Sequence, residues 1–178
     1  MSIFDNIKNL FGAKHEKEPY SEASAMELSE IFALEDTTDF LIAINDRLNQ
    51  RTDYGDRIDL LSPEEQVFYI CNLVMEEVNN GGFDQFLYNS SGDHAHRAED
   101  CLRTIGANKT ADICHTALSA FGKPIPRNRN QRQKFLDKME SDEISEILDD
   151  CDGKFYEYPD PLEELCQQYI LANKSSFT

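Results

Sequence analysis

The sequence predicts an all-α protein: a single compact multi-helix domain of about seven to nine helices, preceded by a short N-terminal amphipathic arm. Three observations carry this. Apolar residues recur at steps of three and four through most of the chain. Helix-start and helix-stop signals punctuate those runs at short intervals. Sustained period-two alternation enriched in β-branched residues is not found. At 178 residues, 40% of them hydrophobic and 29% charged, the chain is long enough to bury one real core.

The arm comes first. Ile3, Phe4, Ile7, Leu10 and Phe11 sit at helical spacing and stop near Gly12, a pattern suited to packing on the protein's own domain or on a dimer mate. Residues 13–19, AKHEKEP, are charged and break at proline. Residues 1–19 therefore read as arm and linker, and residues 20–178 as the domain. No apolar run approaches the roughly 20 residues that span a bilayer, and the first residues lack a signal-peptide core. A cytoplasmic protein that does not engage membrane is expected.

Tyr20 or Ser21 opens the next helix, which carries Met26, Ile31, Phe32 and Leu34. Thr37 or Thr38 is the expected cap of another, with Phe40, Leu41, Ile44 and Leu48 on its face. Residues 51–56, RTDYGD, form a loop. Ser62-Pro63-Glu64-Glu65 is a strong start: serine caps, proline suits the first helical position, and Glu65 closes the capping box. Val67, Cys71, Val74 and Val78 come next at helical steps, widened by Phe68, Ile70 and Met75, so this helix should be central.

The run NNGGFDQFLYNSSGD, residues 79–93, is the most distinctive stretch. Asn79, Asn80, Gly81 and Gly82 suit the left-handed backbone that ends a helix. Phe83, Phe86, Leu87 and Tyr88 make an apolar patch. Asn89, Ser90, Ser91 and Gly92 stop it, and Asp93 is placed to cap the next helix. The run therefore reads as a corner between two helices, with Phe83, Phe86 and Tyr88 filling the space between them.

Beyond it, Ala98, Cys101, Leu102 and Ile105 mark a helix ended by Gly106. Asn108 or Thr110 should cap the next, which carries Ile113, Ala117, Leu118 and Phe121. Pro124 and Pro126 keep residues 123–130 out of a helix. Phe135, Leu136 and Met139 mark a further helix. Ile144, Ile147, Leu148 and Cys151 mark another, ending at Gly153, and Leu162, Leu165, Cys166, Tyr169 and Ile170 the last. The five cysteines are widely spaced and form no CxxC pair, which predicts buried thiols rather than a disulfide or zinc framework.

Charge is the strongest compositional signal. The formal net charge is −17, with 34 acids against 17 bases, a balance that repels nucleic acid and anionic membrane and favours basic partners. It is uneven: net −7 over residues 1–61, −6 over 62–107, +5 over 108–139 and −9 over 140–178. On the helix near residues 142–152, Asp142, Glu146 and Asp149 project opposite the apolar face, with Glu143 and Asp150 on one flank. Like charges at these spacings cost a helix a few tenths of a kcal/mol each. A phosphate-like row is one reason to tolerate that cost. Its axial steps are roughly 6 and 4.5 Å, against about 3.4 Å per strand charge in duplex DNA. A second acidic face, from Glu27 and Glu30 or from another subunit, would be needed. The plainer reading is that the basic island, Lys123 to Lys138, pairs with this helix across a turn.

Other chemistry finds little footing. If Gly153 is set as an EF-hand glycine, Leu148 and Pro159 fall where ligands belong, so calcium is not expected. Asp93, His94 and His96 lack helical zinc spacing. There is no GxSxG, Walker loop or GxGxxG. No metal, cofactor or catalytic set is expected.

The run NGGFDQFLYNSSGD, the IGA at residues 105–107, Phe155-Tyr156 after the acidic helix, and Tyr169-Ile170 with Asn173 together resemble the DNA-mimic-protein-nineteen-like bacterial domain family over about residues 61–173. The resemblance implies a small, acidic, helical protein whose characterised relative is a dimer that occupies the DNA-binding face of a transcription factor. The family signature here is Asn80, Gly81, Gly82, Phe83, Phe86, Asn89, Ser90, Ser91 and Gly92, and it is structural in character. The resulting expectation is a non-enzymatic homodimer that binds a basic DNA-binding protein, such as a transcription regulator, through phosphate-mimicking carboxylates at Asp142, Glu143, Glu146, Asp149 and Asp150. The rival readings are an immunity-type protein that neutralises a basic toxin and, third, an enzyme with its site near Asn89 to His96.

Overall fold

A computed structural model describes residues 26–178, so the expected arm and linker, and the start of the helix expected at Tyr20 or Ser21, lie outside the described residues. Within them the chain forms eight α-helices and no strand. These are α1 (Leu28–Ile31), α2 (Thr37–Thr52), α3 (Pro63–Tyr88), α4 (Ala95–Thr104), α5 (Asn108–Ser119), α6 (Arg129–Met139), α7 (Asp142–Phe155) and α8 (Leu162–Ala172). Short 3₁₀ turns occupy Ile58–Leu60, Ser90–His94 and Lys174–Ser176.

The central helix starts as its sequence dictates. Ser62 accepts from Glu65 N at 3.1 Å and Glu65 accepts from Ser62 N at 2.8 Å, a reciprocal cap worth about 1 kcal/mol. Glu65 does more than cap. It is fully buried, pairs with Arg51 of α2, and accepts from Thr178 N at 3.0 Å, so one carboxylate ties α2, α3 and the C-terminal residue together. Phe68, Tyr69, Ile70, Cys71, Val74 and Val78 are buried on several sides, because α3 packs against α2, α4, α6, α7 and α8. All five cysteines are free and buried, as small hydrophobes in the core.

Four local expectations are corrected. Asp36, not Thr37 or Thr38, caps α2, accepting from Asp39 N at 2.9 Å. Neither Asn108 nor Thr110 caps α5. Instead Asp160, fifty residues on, accepts from both Thr110 N at 2.8 Å and Thr110 Oγ1 at 3.1 Å. Gly153 does not end α7, which continues to Phe155, since a glycine inside a helix is only a modest penalty when Phe155, two residues on, is buried in the core. Asp93 does not cap α4. His94 holds that position without a side-chain cap, and the Asp93 carboxylate turns instead toward arginines of α6.

Candidate functional site

The run at residues 79–93 breaks α3 without ending it. Gly81 is extended (φ −166°), Gly82 takes φ +74° and ψ −175°, and the helix resumes through Tyr88. A break of this kind strands backbone donors and acceptors, and α7 supplies the missing partners. Asp152 Oδ1 accepts from Phe83 N at 2.8 Å, and Tyr156 Oη donates to the Val78 carbonyl at 2.9 Å. The approach needs a glycine: a Cβ on Gly82 would stand 2.1 Å from Asp152 Oδ2. Phe83 and Phe155 meet edge to face with ring centroids 6.0 Å apart. The end of α7 thus staples the kink.

Two charged side chains hold the rest of the motif. Glu77, just before the kink, accepts from Gln85 Nε2 at 2.8 Å, Asn89 Nδ2 at 2.9 Å and Ser91 Oγ at 2.8 Å. Arg132 of α6 is fully buried and donates to the carbonyls of Leu87 (2.6 Å), Asn89 (2.8 Å) and Arg127 (2.7 Å). Its Nη2 also lies 2.7 Å from Asp93 Oδ1. Gly92 admits the guanidinium, since a Cβ there would be 2.7 Å from Arg132 Nε and 2.6 Å from the Leu87 carbonyl. Phe83 and Phe86 are core, while Asn80 and Ser90 are exposed.

The outer side of α7 is different. Ser141 caps it, accepting from Ile144 N at 3.3 Å, and Asp142 and Glu143 in the first turn complement the helix dipole. Leu148, Cys151 and Phe155 face the core. Asp142, Glu143, Glu146, Asp149 and Asp150 are all exposed. The helix is not free of bases, as its extra length brings in Lys154, which pairs with Asp150 at 2.6 Å. For the other four, no ion pair forms among the described residues. The basic island does not cover this face: Arg132 and Arg129 both turn to Asp93, at 2.7 and 3.7 Å. Glu27 and Glu30 are engaged in a capping box on α1, which packs on α2, whereas α7 packs on α3 and α5.

What joins the acidic row instead is Asp84, on the second segment of α3. Burial, then Asp149 and Glu140 nearby, push its carboxyl up to about 6. Asp152 is likewise raised to about 6, by burial and by Asp84 and Asp149, with its bond to Phe83 N acting the other way.

The loop at Asn89 to His96 also has a cleft, about 150 Å³, lined by Tyr54, Asp56, Ser90, Asp93, His94 and Arg129 among others. Burial lowers the pKa of His94, with Asp93 acting the other way. Ser91 Oγ is committed to Glu77 and to the Phe86 carbonyl, and no hydrogen bond links His94 to a hydroxyl among the described residues.

Fold and surface together define an acidic, all-helical protein class: a glycine-kinked central helix, a polar knot that fixes the kink, and a carboxylate face projecting from the helix that staples it. A family model described as DMP19-like protein matches residues 59–173, and the chain belongs to that family. No curated protein and no solved structure matched it. No helix among the described residues is long and apolar enough to cross a membrane.

Proposed function

We propose that this protein is a non-enzymatic DNA mimic that occupies the DNA-binding surface of a basic transcription regulator or other DNA-binding protein and blocks its access to DNA. The observation that supports this reading is the exposed outer face of α7, where Asp142, Glu143, Glu146 and Asp149 stand without ion-pair partners among the described residues. Carboxylates so placed can accept from lysine or arginine forks as phosphates do. Asp84, which lies near both Asp149 and Glu140, thickens the row at one end. A second copy would supply the parallel row that duplex spacing requires, so the acting unit is a homodimer.

The test is capture from native lysate on immobilised protein at low and high salt, followed by elution with duplex DNA. The expected result is a salt-sensitive, DNA-competed partner whose own DNA gel shift the protein abolishes. D142K/E146K/D149K should lose that partner; undiminished capture would sink the site assignment. Capture that DNA leaves untouched would point to the immunity reading.

A further inference from the structure

One cleft runs against the charge of the molecule. It lies where the start of α4, the end of α5 and the strap leading into α6 meet. Its volume is about 580 Å³, and Ala95, His96, Leu118, Lys123, Ile125 and Arg127 are among its lining residues. No carboxylate lines it, in a chain with twice as many acids as bases. The clefts between α2 and α3, at His94, and beside α7 each carry two or more. Lys123 and Arg127 are exposed, and their side chains have no ion-pair partner among the described residues. The pKa of His96 is lowered by burial and then by Arg127 and Arg97, and Lys123 and Arg127 are the cations that line the mouth.

The strap is also held in place. Arg132 fixes its far end, donating to the Arg127 carbonyl at 2.7 Å and the Pro126 carbonyl at 3.4 Å, and Ile125 packs on the core. The cations therefore project from an anchored backbone, which lowers the ordering cost of binding. Between the two prolines and just before them, the main-chain N–H and C=O groups of Ile125 and Lys123 have no partner among the described residues. A free main-chain edge beside an apolar floor suits an extended chain, which brings unpaired backbone groups of its own. A helix, including the α7 of a second copy, has its backbone bonds satisfied internally and cannot use that edge.

We propose that this cleft docks an extended acidic peptide segment of a partner protein, seating an apolar side chain against Ala95, Leu118 and Ile125 and carboxylates between Lys123, Arg127 and His96. This surface adjoins the cleft beside α7, with Ser119 lining both, but its own charge is opposite to that of the acidic face.

The probe is a displayed library of random octapeptides, selected on the full-length protein and counter-selected on K123E/R127E. Both altered side chains are exposed and unpaired, so thermal unfolding of the variant should match the wild type. The expected outcome is enrichment of peptides with Leu, Ile or Phe flanked by Asp or Glu. Their affinity should fall about tenfold or more on K123E/R127E at ionic strength near ~0.15 M, and on replacing the peptide acids with amides. Enrichment that is not acidic, or equal binding to both proteins, overturns the proposal. So does equally tight binding of polyglutamate, which would mean diffuse attraction only. Self-association of the free protein that both K123E/R127E and E143K/E146K abolish would assign the cleft to a second copy and overturn it too.

Discussion

Asp149 and Asp152 stand three residues apart on α7, yet one faces water and the other faces the kink of α3. Asp152 accepts a backbone N–H that the break in α3 would otherwise leave unpaired, beside a glycine whose missing Cβ makes the room. Asp149 is exposed with the other acids of the outer face. The inner carboxylate is fixed by its surroundings and bears on stability. Of the outer ones only Asp150 has an ion-pair partner among the described residues, and under the proposed function they bear on what the surface binds. In so acidic a chain, residue type says little about role; the side of the helix decides it.

The largest expected effects come from the interior. Arg132→Met should destabilise by about 2–4 kcal/mol, because it leaves the carbonyls of Leu87, Asn89 and Arg127 without their donor and takes the nearer arginine from the part-exposed Asp93. Urea unfolding followed by circular dichroism measures it. Arg132→Lys should recover little, since a single ammonium cannot reproduce the fork. A loss under 1 kcal/mol would break the contrast drawn between inner and outer charges.

Next is Gly82→Ala, expected to cost about 2–3 kcal/mol, because φ +74° with ψ −175° is a region nearly confined to glycine. Part of that cost should be coupled to Asp152. In a double-mutant cycle with Asp152→Ala the two losses should be less than additive, with the backbone strain remaining.

Asp152→Asn sharpens the comparison through pH. The Asp152 and Asp84 carboxyls titrate near 6 in the fold, against about 3.9 when unfolded. The folded state therefore binds more protons between those values. The stability that this contributes is fully present below about 4 and is lost as pH rises through about 6. His94, with its lowered pKa, works in the opposite direction, so the informative quantity is the difference between wild type and variant. Asp152→Asn should flatten the decline between pH 4 and 7 by its share, in chemical denaturation across about that range. An unchanged slope would show that the inner carboxylate titrates like the outer ones.

The smallest stability effect belongs to the outer face. D142K/E146K/D149K should shift stability by only about 0.5 kcal/mol in either direction, because relieved like-charge spacing is offset by the loss of the first-turn carboxylate at Asp142. Its effect should appear in partner capture. A large loss of stability would mean that these carboxylates are structural after all.

Much of the helical layout could be read directly. The Ser62–Glu65 box and the apolar spacing of α3, α5, α7 and α8 are local patterns, and local hydrogen bonding enforces them. The residues that hold the motif were harder to see. Arg132 hid among six bases, although it lies four and seven residues before Leu136 and Met139, on the apolar side of its helix. Asp152 lies four after Leu148 and three before Phe155, which already turned it inward. Glu77 carried no such signal, because its partners Asn89 and Ser91 reach it only after the chain has kinked and turned back. The caps at α2 and α5 were missed for related reasons: Asp36 competed with two adjacent threonines, and Asp160 is remote.

The sequence by itself determined an acidic all-helical protein of this family, because helix periodicity, capping chemistry and charge balance are properties of neighbouring residues. Only the tertiary structure decided that the break at Gly81-Gly82 would be a kink inside one helix, with its stranded backbone groups satisfied by Asp152 and Tyr156. A broken helix must find partners for those groups, and which residues supply them depends on contacts that close the chain over some seventy residues.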